Sequence, residues 1–196
     1  MLNDRSSTLA LLATRRSGKP REMVAPGPSP DELARILEIA ARTPDHGKLF
    51  PWRLVVIPDD RRAALAELLL HALAIEDAEC LGAKRDAAIE FAHQAPSLVV
   101  LVSAPIAGHK IPLWEQQLSS GAVAMNLLTA TTAMGYVGGW ITGWPAYSDT
   151  VSAAFCAPGQ RIAGFFFLGS PGRPLEERPR PAMEQISRVW SGLPRP

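Results

Sequence analysis

Apolar residues recur along the chain at two spacings, one helical and one alternating or continuous, and the switches between them mark out the elements. Residues 6–17, with Leu9, Leu11 and Leu12, read as a first amphipathic helix; its apolar run is short and closes on Arg15-Arg16, unlike an export signal. Pro20, Pro26, Pro28 and Pro30 then form a segment suited to neither a helix nor a central strand. It ends at Ser29-Pro30-Asp31-Glu32, where a serine N-cap, a proline in the first turn and a glutamate at the third position make a capping box. Leu33, Ile36, Leu37 and Ala40 follow on one helical face, and Pro44 stops it. Trp52–Ile57, closed by Pro58, has the residues of a strand. Asp59 and Asp60 open an Ala/Leu helix expected to reach about Leu81, and a further helical piece spans about 84–93. The unbroken apolar run Ser97–Ser103 predicts a strand buried on both faces. A helix over about 113–134, a strand over 136–141, a short helix over 147–155 and a strand over 162–168 complete a mixed α and β order.

Length and composition narrow this further. A chain of 196 residues, 47% hydrophobic and 20% charged, is enough for one well-cored domain, which we place at 1–171. Residues 172–196 form an extension: from Pro171 on, the chain holds six of its eighteen prolines together with Arg173, Arg178, Arg180, Arg188 and Arg195. Such a tail is expected to stay loose or to lie over a partner surface, docked through Met183, Ile186, Val189 and Trp190. Twenty basic and nineteen acidic residues, with no long basic cluster, argue against nucleic acid as a partner. Cys80 and Cys156 are isolated, which excludes a disulfide framework and fits a cytoplasmic setting. From Gln116 to Ser148 no charged residue occurs. Gln116, Gln117, Ser119, Ser120, Asn126, three threonines of its helical part, and Gly135, Gly138, Gly139 and Gly143 make this stretch too polar for a membrane span. It is expected to be a central helix covered all round, in part by a second subunit.

The chemistry-bearing motifs are few. Arg15-Arg16-Ser17 could clamp a phosphate with two guanidinium forks and a hydroxyl, or could simply be a solvated helix end. Asp45-His46-Gly47-Lys48 lies in a loop ahead of a strand, without further ligands at metal spacing. Gly18-Lys19 and Gly47-Lys48 lack the rest of a phosphate-binding loop, and Gly135–Gly143 lacks the dinucleotide-binding spacing. What remains there is a glycine-rich turn with a buried-looking Trp140 against which a flat ligand could lie, or a close-packed strand. No nucleophile elbow, nucleophile triad or paired-carboxylate machinery is evident.

Five of these segments, in this order, resemble the nitroreductase family of FMN-dependent oxidoreductases, in its small single-domain branch. They are Leu11–Ser17, Arg42–His46 through Pro51-Trp52, Pro112–Gln116, Gly138-Gly139-Trp140 and Phe167–Pro171. The resemblance implies an α+β fold, a mixed sandwich with a central sheet flanked by helices, in an intertwined homodimer. It implies FMN as cofactor, NADH or NADPH as electron donor, and a small acceptor such as a nitroaromatic or quinone. Arg15, Arg16 and Ser17 would then hold the flavin phosphate and ribityl chain. Arg42 and His46 would reach the same flavin from the other subunit, and Trp140, Ile141 and Thr142 would lie along its opposite side. No side chain is then required as a catalytic acid or nucleophile, and no metal, because the flavin carries the chemistry. The loop Asp45–Phe50 departs from the Ser-Ser-x-Asn-x-Gln pattern of the commoner members. Among Arg173, Arg178 and Arg180 the sequence does not single out a counterpart of the C-terminal arginine that meets phosphate in larger ones.

Overall fold

A computed structural model describes residues 1–80 and 82–192. In chain order they form α1 (Thr8–Thr14), β1 (Met23–Val24), α2 (Pro30–Ala40), β2 (Trp52–Ile57), α3 (Arg62–Glu76), α4 (Gly82–His93), β3 (Ser97–Ser103), α5 (Leu113–Ala133), β4 (Val137–Ile141), α6 (Asp149–Phe155), β5 (Arg161–Pro171) and α7 (Met183–Ile186). All strand pairings are antiparallel. β2 pairs with β3, β3 with β5, and β5 also with β4 and β1.

Alternation along the two central strands builds a layer on each face of the sheet. Leu98, Val100, Val102, Phe165 and Phe167 point into a core with Leu65, Leu69 and Leu73 of α3 and Ala88 and Ala92 of α4. Val99, Leu101, Phe166 and Leu168 point the other way, onto Ile36 and Ala40 of α2 and Val123, Leu127 and Leu128 of α5. The architecture is thus the expected mixed sandwich, helices on both faces of one sheet.

Three element ends differ most from the sequence expectation, each beside a contact distant in sequence. α1 stops at Thr14 because Asn3 takes the backbone of Arg16 on both sides, its Oδ1 accepting from the amide at 2.6 Å and its Nδ2 donating to the carbonyl at 3.2 Å. α3 stops at Glu76, whose carboxylate instead caps α6 by accepting from Ser148 Oγ and the Thr150 amide at 2.8 and 2.9 Å. The expected end at Leu81 lies outside the described residues, as does Arg195. The proline segment contains a 3-10 turn over Pro20–Glu22 and the short edge strand β1. β5 runs on to Pro171, because Gly169 meets Val137 of β4 while Ser170 and Pro171 meet Val24 and Met23 of β1. The extension is not wholly loose either. The Gly172 amide donates to the Glu22 carbonyl at 2.9 Å and Leu175 packs on the core, so only the later part, from α7 onward, stands off the domain.

Beyond Glu115 in its first turn, α5 carries no charge, and it spends several of its polar residues inside its own chain. Gln116 is buried, accepts from the Ile106 amide at 2.7 Å and donates to the carbonyls of Ile111 and Ile106 at 2.9 and 3.3 Å. Asn126 donates to the Arg42 carbonyl at 3.0 Å and to Thr43 at 2.9 Å. Its cover is therefore not complete within one chain: Trp114, Leu118 and Met125 form an exposed apolar stripe at helical spacing.

Candidate functional site

A cleft of about 670 Å3 opens between the loop after α1, the end of α4, the middle of α5 and β4. Its lining includes Arg15, Arg16 and Ser17 of that loop, Gly139, Trp140 and Ile141 of β4, and Arg178 of the extension. Its size lies within the range of small-molecule sites. Thr142 follows directly in the chain but is not part of this lining.

Local geometry explains how each group is presented. With α1 ended at Thr14, Arg15 is extended and its Nη1 donates to Ser17 Oγ at 3.2 Å, bringing guanidinium and hydroxyl together. Gly139 has no room for a side chain: a Cβ would sit 2.9 Å from the Gly18 carbonyl oxygen, so the Ser17–Pro20 loop lies directly on β4. A Cβ at Gly164 would overlap the Trp140 indole, which can therefore cross β5. The indole stacks on Phe166 with ring centroids 5.3 Å apart and donates from Nε1 to the Ala163 carbonyl at 2.9 Å. Trp140 is not buried as its sequence context suggests. It is 41% exposed, with part of the ring open to the cleft.

Around the arginine loop positive charges outnumber negative ones, and Glu177 accepts from Arg180 Nη2 at 3.1 Å. Burial first, then the charges of Arg180 and Arg16, hold the Arg15 guanidinium below the usual arginine range. Arg16 is lowered likewise by burial and by Arg178 and Arg180, against the opposing pull of Glu177 and Glu176. All remain charged. Arg16 also anchors the extension: its Nε donates to the Glu176 carbonyl at 2.7 Å and lies 3.9 Å from the Glu177 carboxylate, while Lys19 lies 3.9 Å from that of Glu176. That anchoring brings Arg178 and Arg180 beside Arg15 and Arg16. Sequence reasoning could not choose among the tail arginines, because the choice is made by a chain return across 160 residues. Arg173, in contrast, lies away from this cleft.

Besides Thr142, two expected site residues are not brought into this cleft. Arg42 is exposed just beyond α2, and His46 is exposed in the next loop, where its Nδ1 lies 2.7 Å from Glu115 Oε2. Phe91 and Gln94 of the α4 end, and Met125 and Leu128 of α5, line the cleft without having been singled out from sequence. Among the described residues no cluster of His, Cys, Asp and Glu could hold a metal ion. No described helix is long and apolar enough to cross a membrane.

Comparison with known proteins bears on the same residues. The chain is 33% identical over 168 residues to the Escherichia coli K12 protein named "Putative NAD(P)H nitroreductase YdjA", covering 83% of this chain and 87% of that one. It is 35% identical over 166 residues to a Haemophilus influenzae protein named "Putative NAD(P)H nitroreductase", with the same coverage. Its fold superposes on a nitroreductase-like family protein from Bacillus cereus with a TM-score of 0.81 at 21% identity, covering 95% of this chain and 97% of that one. It also superposes on an FMN- and NADPH-dependent nitroreductase, NfnB, from a strain printed as sphigopyxis sp. strain HMH, with a TM-score of 0.71 at 19% identity over 95% of this chain and all of that one. The family model described as "Nitroreductase family" matches residues 12–170, from within α1 to within one residue of the end of β5. With the sheet, the arginine loop and all the cleft lining but Arg178 inside that span, the chain belongs to the nitroreductase family.

Proposed function

We propose that this protein is an FMN-dependent oxidoreductase of the cytoplasm that takes hydride from NADH or NADPH and delivers it to a small acceptor such as a nitroaromatic or a quinone. The observation that carries the reading is the make-up of the cleft: guanidinium groups and a hydroxyl share one lining with a stacked indole and bare glycine backbone. A flavin mononucleotide needs both, donors for a doubly charged phosphate and an apolar surface for a flat ring. The names borne by the relatives and by the NfnB structure support the same cofactor and donor.

In this reading Arg15 and Arg178 neutralise the phosphate, Ser17 gives it a short hydrogen bond, and Arg16 chiefly holds the extension in place. Trp140, Ile141, Met125 and Leu128 shed water from the ring, and Thr142 contributes through its backbone beyond the cleft. When bound, FMN accepts a hydride and releases it again, which the protein's own side chains cannot do. Arg42 and His46, exposed outside their own cleft, would serve the cleft of a second copy. The apolar groups displayed on α1 (Leu9, Leu12), on α5 and on the tail supply the surface for such a homodimer.

A second reading, a flavoprotein of the same scaffold acting as a dehydrogenase, a dehalogenase or a flavin store, is favoured by one feature: the atypical loop Asp45–Phe50. The deciding experiment is the visible spectrum of the purified protein. Flavin bands that bleach on anaerobic NAD(P)H and return on adding a quinone or nitroaromatic are expected. A colourless protein that FMN cannot reconstitute would overturn both readings, and flavin that bleaches but is not reoxidised by these acceptors would select the second.

A further inference from the structure

The loop between α2 and β2 is held against the first two turns of α5 at its two ends. Ser119 Oγ donates to the Pro44 carbonyl at 2.9 Å and Ser120 Oγ to the Pro51 carbonyl at 2.8 Å. Between these anchors Asp45 Oδ2 accepts from the Phe50 amide at 2.7 Å, and Lys48 and Phe50 both adopt left-handed backbone, with φ of 55° and 50°. Side chains larger than glycine persist in that region only where their surroundings over-determine it, and such strain concentrates at ligand-handling segments. Here it turns the loop outward: Phe50 is 61% exposed, and Trp114, next to Glu115, is 66% exposed.

One contact in this braced loop joins two titratable side chains. His46 Nδ1 and Glu115 Oε2 lie 2.7 Å apart. An ionised carboxylate can only accept, so Nδ1 carries the hydrogen and Nε2 is the ring nitrogen left for another molecule. No described residue hydrogen-bonds to Nε2 of His46. The side chains are 65% and 43% exposed, and ion pairs so exposed add little to stability. What the bond does supply is a single tautomer and a fixed ring direction, as carboxylate partners do for ligating histidines. Glu115 also lies in the first turn of α5, where a carboxylate complements the helix dipole, but that role needs no histidine.

We propose that Glu115 is a positioning residue for His46: by accepting Nδ1–H it fixes the imidazole so that Nε2 is offered to the flavin bound in the cleft of a second copy of the chain. This rests on the flavin reading above and extends it to a residue which that reading leaves without a task.

The test combines the His46 tautomer with FMN affinity. In nitrogen-resolved NMR of the unaltered protein, at a pH where the ring is neutral, His46 should carry its proton on Nδ1. Glu115→Ala should return it to the Nε2–H form preferred by a free imidazole, whereas Glu115→Gln, which keeps an acceptor oxygen, should preserve Nδ1–H. FMN titrations should show Glu115→Ala weakening the flavin about two- to tenfold, the span of one neutral hydrogen bond, with no further loss when Glu115→Ala is added to His46→Ala. An unchanged tautomer or an unchanged FMN affinity in Glu115→Ala overturns the proposal, and so does a loss that persists undiminished in the His46→Ala background. A lower melting temperature alone, with tautomer and affinity intact, would assign Glu115 to the helix dipole only. If the unaltered protein binds no FMN, the flavin reading fails and the ligand role of the pair with it, while the tautomer still reports whether the pair forms.

Discussion

Arg15, Arg16 and Arg62 carry the same side chain into three environments, and each is spent differently. Arg62 is buried and donates to main-chain carbonyls only, among them those of Ala92 at 2.9 Å, Ile57 at 3.2 Å and Gln94 at 3.3 Å, so it ties the end of α4 to the end of β2. Arg16 is committed to the Glu176 carbonyl. Among the described residues Arg15 makes one side-chain hydrogen bond, to Ser17, which leaves most donors of its fork unspent. Arg15→Ala should accordingly weaken FMN by about 1.5–3 kcal/mol, the scale of a hydrogen bond to a charged group, when read by flavin fluorescence titration. Arg15→Lys should recover only part of that, because an ammonium does not reproduce the paired fork. Arg15 and Ser17 were legible in the sequence because they are two residues apart. Arg178 was not, since nothing local to it says which surface it will meet. His46 was legible only through resemblance, and its partner Glu115 not at all, because their pairing spans 69 residues.

Elements whose signals are local came out as the sequence predicted. The α2 capping box has both of its bonds, Ser29 Oγ accepting from the Glu32 amide and the Glu32 carboxylate accepting from the Ser29 amide. β2 and β3 keep the boundaries set by their β-favouring runs and flanking prolines. The elements that moved, α1, α3 and β5, are those whose ends are decided by Asn3, by Ser148 and Thr150, and by β1 and β4, none of them visible in a local pattern. Glu32 does double duty, because it also accepts from Tyr136 Oη at 2.9 Å and so ties α2 to the turn before β4. The Ser29 amide first, then Tyr136 and the Ser29 hydroxyl, hold its carboxyl below the usual glutamate range. A carboxyl lowered in the folded state contributes stability above its unfolded pKa, and that contribution is lost as the pH falls through the folded one. Glu32→Gln should therefore lower the melting temperature at pH 7 and narrow the gap between the variants as the pH is taken down to about 3. A constant gap across that range would show that ionisation at Glu32 has no part in the cap.

At the scale of the whole molecule, the exposed stripe of α5, the displayed leucines of α1 and the tail residues Met183, Ile186, Val189 and Trp190 leave more apolar surface than one chain covers. A homodimer burying on the order of 2,000 Å2 or more is expected, and light scattering at low concentration should find no folded monomer. If Arg42 and His46 serve the partner's cleft, mixed dimers give an asymmetric result. Pairing an Arg15→Ala subunit with an Arg42→Ala/His46→Ala subunit leaves one doubly damaged and one intact site, and about half the FMN should remain at full affinity. Two weakened flavins per dimer, each site damaged only by its own chain's substitutions, would show instead that each chain keeps its own site. The gathering of Arg15, Arg16 and Arg178 in the cleft, with Arg180 beside them and paired to Glu177, bears on the speed of loading as well as on its strength. Like charges gathered in a concave, partly desolvated cleft project a field beyond the surface, and a dianionic phosphate is drawn along it before any contact forms. The association rate of FMN should therefore fall steeply as sodium chloride is raised through the range where the Debye length drops below about 10 Å, with dissociation changing far less. Inorganic phosphate should slow loading beyond its ionic strength, by occupying the entry point itself, and in the doubly substituted Arg178→Ala/Arg180→Ala protein the salt dependence should flatten.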